Sequence, residues 1–264
     1  MSQPITPSSQ FPPVHIIGAG PGAPDLITVR GQTLLAAADT VFYTGSLVPE
    51  QMLQWCRADV ETIDTRSHTL ETWLPLLQKR VSQGQRVVRL QDGDPCLYGA
   101  LHELTTFLLK HQISFEIVPG VSAFQLAAAR LEVELTVPQL VQSIILTRVQ
   151  GRTDVPGEED LASLASHQAS LCLYLSARHA AAAQSKLMAH YPPDTSIALC
   201  YRLGWPDEEI RLGRLDAMAT LTQAAGHDRT VMYLISPALA AQEARSQLYN
   251  PDHSHLFRPH VSKA

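Results

Sequence analysis

The chain has 264 residues, 45% hydrophobic, 17% charged and 6% aromatic, enough for one large α/β domain or two ordinary ones and too apolar for general disorder. Twenty basic against twenty-five acidic side chains leave a net charge of −5, the reverse of what a protein that neutralises nucleic-acid phosphates carries. No apolar run approaches the roughly 18 residues of a membrane-spanning helix, so neither nucleic acid nor membrane is an expected partner.

Residues 1–13 lack the basic and apolar regions of a secretory signal and read as a polar arm. Val14–Gly18 then reads as a strand, Val29–Ala38 as a helix and Thr40–Tyr43 as a second strand. Leu70–Ser82 has helical spacing with Thr69 as its N-cap and Gly84 near its end. Arg86–Leu90 reads as a strand, Leu97–Lys110 as a helix, Phe115–Val118 as a strand and Ser122–Arg130 as a helix. Glu132–Gln142, with Pro138, breaks this rhythm and marks a linker, giving expected domains 14–138 and 139–241. The second half offers strands at Ile144–Thr147, Leu171–Leu175, Ser196–Tyr201, Ile210–Leu212 and Thr230–Ile235, and helices at Ala177–Ala189 and Asp216–Ala224. Trp205-Pro206-Asp207 points to a hairpin between two of these strands. The alternation predicts a largely parallel sheet with crossover helices, followed by a polar tail, 242–264, rich in His and Pro. Cys56, Cys96, Cys172 and Cys200 form no Cys-x-x-Cys pair and read as buried or semi-buried thiols of a cytoplasmic protein.

Glycine-rich loops follow three of the first-half strands. Gly18-Ala19-Gly20-Pro21-Gly22-Ala23 satisfies the G-x-G-x-x-G/A dinucleotide fingerprint. However, Pro21 and Pro24 keep the backbone out of a continuous helix, and the second strand ends in Tyr43-Thr44-Gly45-Ser46 without the acid a ribose needs. The second loop, Asp92-Gly93-Asp94-Pro95 with Leu97-Tyr98-Gly99, allows a close backbone approach, and Asp94 can accept from ribose hydroxyls; the same residues also make an ordinary Asx turn. The third, Pro119-Gly120-Val121-Ser122-Ala123, opens a helix with small residues. Ligands of such sheets bind at the carboxyl ends of the strands, so the three loops are expected to line one pocket.

In this order and spacing the motifs resemble those of the tetrapyrrole (corrin/porphyrin) methylases: Ile17–Gly22 with Leu26-Ile27-Thr28, then Val88-Arg89-Leu90 leading to Gly93-Asp94-Pro95 and Tyr98-Gly99, then Val118–Ala123. Tyr43–Pro49, Gly151-Arg152-Thr153, Tyr201-Arg202 with Trp205–Glu208, and the tail segments Leu248-Tyr249, Ser254-His255 and Phe257-Arg258 are similar to the branch that methylates precorrin-4 at C11 in cobalamin synthesis. Uroporphyrinogen-III methylases carry an acid near the end of the second strand, where this chain has Thr44 and Gly45. The resemblance implies two α/β domains of tetrapyrrole-methylase type with a ligand cleft between them, a homodimer, and S-adenosyl-methionine as methyl donor. It carries the donor contacts to Pro21, Gly93, Asp94, Leu97, Ser122, Ala123, Leu175, Leu203 and Thr230. Leu203-Gly204 departs from the family's commoner small-residue pattern, so Leu203 or its neighbour fills that role.

Methyl transfer to an electron-rich ring carbon asks mainly for positioning, and no catalytic base, triad, metal box or carboxylate pair stands out. The substrate's rim of carboxylates calls for local positive charge. Arg66, Arg148, Arg152, Arg178 and Arg202 are candidates, Arg148 and Arg202 foremost, each also readable as a solvated surface residue. Tyr98 either stacks on the ring or packs in the core. His253, His255 and His260 cluster in the tail without cysteine or carboxylate partners, so no protein-bound metal is expected. Methylation at C17 or C20, a nicotinamide-dependent oxidoreductase and a non-catalytic tetrapyrrole-binding protein are the alternatives.

Overall fold

Val14–Gly18 (β1), Thr40–Tyr43 (β2), Glu61–Asp64 (β3), Val87–Gln91 (β4) and Phe115–Val118 (β5) pair in parallel in the order β3-β2-β4-β1-β5. The structure is a computed structural model that describes residues 11–150 and 154–241. Every residue of β2 and β4 is buried, as expected where helices cover both faces of a parallel sheet. Alternate side chains go to opposite faces. Ile16, Phe42, Leu77 and Leu108 pack on one side, and Ile17, Leu35, Val41 and Leu90 on the other. The helices are Val29–Ala36 (α1), Leu70–Ser82 (α2), Leu101–Lys110 (α3) and Ala123–Arg130 (α4). The N-terminus of α2 is closed by Thr69, whose N–H donates to Thr72 Oγ1 at 3.0 Å.

A second sheet contains Ile144–Arg148 (β6), Ser170–Tyr174 (β7), Ser196–Tyr201 (β8), Glu209–Arg214 (β9) and Val231–Ile235 (β10), in the order β6-β7-β10-β8-β9. β6 and β7 are parallel, while β10 runs antiparallel to both β7 and β8. Leu161–Ala165 (α5), Ala180–Leu187 (α6) and Met218–Ala225 (α7) pack on it, enclosing Leu171, Leu173, Leu187, Ile197, Leu199, Met218 and Tyr233. The Tyr233 hydroxyl is buried but paired with Thr222 Oγ1 at 2.8 Å, as a buried phenol must be.

The described chain divides into two compact units. One holds the residues up to Leu126 together with Arg202–Glu209, and the other holds Ala127–Tyr201 and the residues from Ile210.

Several expectations need correction. The second sheet is mixed, because β7 and β8 run the same way one strand apart and β10 fills the gap in the opposite sense. The helix expected from Leu97 starts at Leu101, since Tyr98 and Ala100 have φ of 54° and 50°, incompatible with a right-handed helix. Strand β7 stops at Tyr174 because Leu175 turns to φ 53°. The helix expected over Ala177–Ala189 is a 3-10 turn at Ala177–His179 followed by α6. Edge strand β3 and helix α5 escape the periodicity through shortness. Cys96 is exposed rather than buried or semi-buried.

Candidate active site

The three glycine loops of the first unit meet where β1, β4 and β5 end. A methyl group on Gly120 would lie 2.2 Å from the Gly93 carbonyl oxygen, and one on Gly18 would lie 2.5 Å from Gly120 Cα. Only hydrogen fits at this junction. Gly93 N donates to Gly20 O at 2.8 Å and Gly20 N to Gly93 O at 3.3 Å, which joins the first two loops by a short antiparallel bridge. Asp94 joins the second to the third: Oδ2 accepts from Gly120 N at 2.9 Å and Oδ1 from Cys96 N at 2.8 Å. It is thus the centre of an Asx turn and also a strap between loops. An ionised carboxylate has about four lone-pair sites, so Asp94 keeps acceptor capacity for hydroxyls beyond these two N–H groups.

Helix α1 begins only at Val29, after a 3-10 turn at Pro24–Leu26. The Gly18–Gly22 turn therefore does not open into a helix as the dinucleotide motif requires. Gly22 instead packs against the 202–209 segment, where a methyl would lie 2.6 Å from Leu203 O and 2.5 Å from Trp205 Cδ1. This places Leu203, itself buried, beside the first loop. Pro21, Gly93, Asp94, Leu97, Ser122, Ala123 and Leu203 all belong to the first unit. Ser122 is buried next to Gly93, and its N–H donates to Gln125 Oε1 at 2.8 Å as α4 begins.

In the second unit Leu175 and Thr230 sit at one end of the sheet, just after β7 and just before β10, both with φ 53°. Leu175 is 69% exposed. Tyr201 at the same end stacks on His227, with ring centroids 3.5 Å apart. Nine described non-glycine residues have positive φ, and Tyr98, Leu175, Arg202 and Thr230 are four of them. Backbone of this kind costs on the order of 1 kcal/mol or more per residue and gathers at ligand-binding positions. Tyr98 is 46% exposed, so it does not pack in the core.

The arginines expected to meet carboxylates are largely engaged within the chain. Arg66 pairs with Asp64, Arg178 with Asp228 at 2.7 Å and Arg202 with Asp207 at 2.5 Å. Arg202 also lies 3.9 Å over the Trp205 ring. Arg148 Nη2 donates to Asp154 O at 2.7 Å. Arg152 and the histidines His253, His255 and His260 lie outside the described residues, among which no group of three or more His, Cys, Asp or Glu could hold a metal ion.

The residue that motif reading included without giving it a role is Arg89. It lies in β4, the middle strand of the first sheet, and is 9% exposed. Its Nη1 and Nη2 donate to Thr65 Oγ1 and Thr44 Oγ1, both at 2.9 Å. Burial lowers its pKa to about 10, which leaves it charged at neutral pH. A lone arginine in the buried run Val87-Val88-Arg89-Leu90 was the available signal, since a charge is rarely buried without a purpose.

A family model for tetrapyrrole (corrin/porphyrin) methylases matches residues 13–219. A precorrin-4 C(11)-methyltransferase of Pseudomonas aeruginosa is 41% identical, with 93% of this chain and 98% of that protein covered. A cobalt-precorrin-4 C(11)-methyltransferase of Methanocaldococcus jannaschii is 37% identical over 93% of this chain and 95% of its own length. The X-ray structure of a cobalamin biosynthetic enzyme, a cobalt-precorrin-4 methyltransferase, superposes with a TM-score of 0.83 at 37% identity, covering 88% of this chain and 99% of that one.

Proposed function

The chain belongs to the tetrapyrrole (corrin/porphyrin) methylases, and on that basis we propose that it transfers a methyl group from S-adenosyl-methionine to C11 of precorrin-4, or of its cobalt complex, in cobalamin biosynthesis. The observation that carries this reading is the glycine junction of Gly18, Gly93 and Gly120 strapped by Asp94, in a chain 41% identical to a protein of that activity over nearly its whole length.

When bound, the donor would supply an electrophilic methyl group to a ring-carbon electron pair; the methyl–sulfur pair would stay on sulfur as a neutral thioether, and the methylated ring would release one proton to solvent. The chain's work is to bind and align. Asp94 has lone pairs to spare for vicinal ribose hydroxyls, and Gly93, Ser122 and Ala123 let the ligand approach backbone closely. Holding two reactants at attack distance is worth several powers of ten in rate without a dedicated base. Both metal-free and cobalt-bound substrates fit this scheme, as the named relatives divide between them. The same reading has the enzyme act as a homodimer in the cytoplasm; no described helix is long and apolar enough to cross a membrane.

Incubation with precorrin-4, metal-free or cobalt-bound, and donor labelled with ¹³C in the methyl group tests the reading. One new methyl on C11, located by NMR, is expected. A methyl on C17 or C20 overturns the ring position. No transfer, with NAD(H) binding in place of S-adenosyl-homocysteine, overturns the class.

A further inference from the structure

Beside the glycine junction, within the first unit, lies a cavity of about 290 Å³ lined by Thr44, Thr65, Arg66, Trp73, Arg89 and Gln91 among others. Two of these lining residues each bury a polar atom without a partner: Arg89 its Nε, an obligate donor, and Gln91 its Oε1, an acceptor. Arg89 and Gln91 are two apart on β4 and so share a face. Gln91 Nε2 donates to Gly99 O, while its carbonyl oxygen is buried without a partner. The outer nitrogens of Arg89 are held by the hydroxyls of Thr65 and Thr44, which lie 3.0 Å apart, with Thr65 Oγ1 also 3.0 Å from Tyr43 O. The guanidinium carbon sits 4.9 Å from the Trp73 ring centre. Among the described residues no carboxylate accepts a hydrogen bond from Arg89, though Asp92 and Asp64 act on its charge from farther off. A buried cation held by neutral hydroxyls costs several kcal/mol, and an unmet donor and an unmet acceptor in one cavity are costs of the same kind.

We propose that this cavity receives one carboxylate-bearing side arm of the tetrapyrrole substrate, which accepts from Arg89 Nε and gives the guanidinium the directly bonded carboxylate it lacks; the proposal rests on the methylase reading above. The chemistry of the cavity fits. A carboxylate oxygen completes the guanidinium's donors, and a water carried in with the arm satisfies Gln91 Oε1. The size fits too, since pockets that take whole ligands run from about 300 to 1,000 Å³, and this one suits an arm better than a macrocycle. Thr44 and Thr65 act as positioning residues, fixing the plane of a guanidinium whose Nε is left without a partner. The shared chemistry is a carboxylate, which the methyl donor also carries on its amino-acid end, and the test separates the two sources.

The variants are Arg89→Met, which keeps length and loses charge, and Arg89→Lys, which keeps charge and loses the fork. In Arg89→Met the KM for precorrin-4 should rise about 30-fold or more, as when one partner of a buried charge pair is removed. S-adenosyl-homocysteine affinity should stay within about twofold, and the thermal midpoint should hold or rise because a buried charge with no hydrogen-bonded counterion is gone. Arg89→Lys should recover part of the KM. A precorrin-4 KM unchanged in Arg89→Met would mean that the cavity holds only water and would overturn the proposal. A parallel loss of S-adenosyl-homocysteine affinity would assign the carboxylate to the donor and overturn it equally. Binding of uroporphyrin III, a tetrapyrrole with eight carboxylates, followed by fluorescence, gives a readout independent of turnover. If wild-type protein methylates nothing, the methylase reading fails by itself. Weaker uroporphyrin binding by Arg89→Met would still support the arm pocket, and equal binding would overturn it.

Discussion

The two sheets each gather expected ligand-contact residues at one edge, and they build that edge by opposite means. In the first sheet all five strands are parallel, so each strand delivers its succeeding loop to one edge. There the loops after β1, β4 and β5 close on one another at glycines too tightly packed for a methyl group, with Asp94 as a strap. In the second sheet β10 is reversed. Its matching edge is therefore built from the C-terminal ends of β6, β7 and β8, including Arg148 and Leu175, and from the N-terminal approach to β10, Thr230. Glycine does not make that edge. Leu175 and Thr230 take the left-handed conformation with their side chains in place. One edge gives up side chains at its glycine junction to bring backbones together, and the other has left-handed backbone at residues that keep their side chains.

The largest expected effect is a break in the first edge. Gly120→Ala places a methyl 2.2 Å from a backbone oxygen, and neither β5 nor the Asp94-strapped loop can yield without moving a strand end. Stability should fall by about 3 kcal/mol or more, at the upper end of overpacking costs, and S-adenosyl-homocysteine affinity should fall at least about tenfold. Gly226→Ala in the second unit is the control. It has φ 70° but nothing within 4 Å of the new methyl, so it should cost about 1 kcal/mol of backbone strain and leave the ligand alone. Urea titration and calorimetry on both variants decide this, and equal losses would remove the special status of the junction.

Next in size is a contrast between two polar residues of the first unit. Asp94→Ala strands the N–H groups of Gly120 and Cys96. Hydrogen bonds to a charged group contribute about 1.5–3 kcal/mol each, so S-adenosyl-homocysteine binding should weaken about tenfold or more. Arg202→Ala removes an ion pair with Asp207, a residue half exposed, and a contact with Trp205. Exposed pairs contribute about 0–1 kcal/mol, so affinity should change by no more than about fivefold. Calorimetry showing equal losses would mean that Asp94 does not organise the loops.

The contrast also accounts for what was legible along the chain. In a parallel sheet a motif after a strand is already at the ligand edge, so Gly18, Gly93, Gly120 and Asp94 could be placed together from residue order alone. Their mutual contact was not legible, because it depends on distances of a few ångströms between segments far apart in sequence. Arg66, Arg178 and Arg202 were nominated by position after strands, but their aspartate partners Asp64, Asp228 and Asp207 are visible only in three dimensions. Arg89 was hidden for the opposite reason. It stands inside a strand rather than after one, and periodicity treats an interior polar residue as noise. The reversal of β10 left no mark in residue pattern, since strand direction is set by the crossover from β9 and not by the strand's own side chains.

The smallest expected effect probes the second edge through Leu175→Gly. The left-handed conformation costs a non-glycine residue roughly 1–2 kcal/mol, and Leu175, 69% exposed, recovers little of that by burial. Glycine removes the strain but gives the unfolded chain more freedom, an opposing term of about 0.5–1 kcal/mol. The net gain should be about 0.5 kcal/mol, seen as a small rise in the urea midpoint at constant slope. If the strain serves to aim the leucine side chain at the donor, S-adenosyl-homocysteine affinity should fall about threefold to tenfold in the same variant, roughly the loss of one well-covered apolar side chain. Stability up and affinity down would show that this edge holds its strain for the ligand. Stability down with affinity unchanged would show that Leu175 serves packing, and the two edges would then differ in more than the means by which they are built.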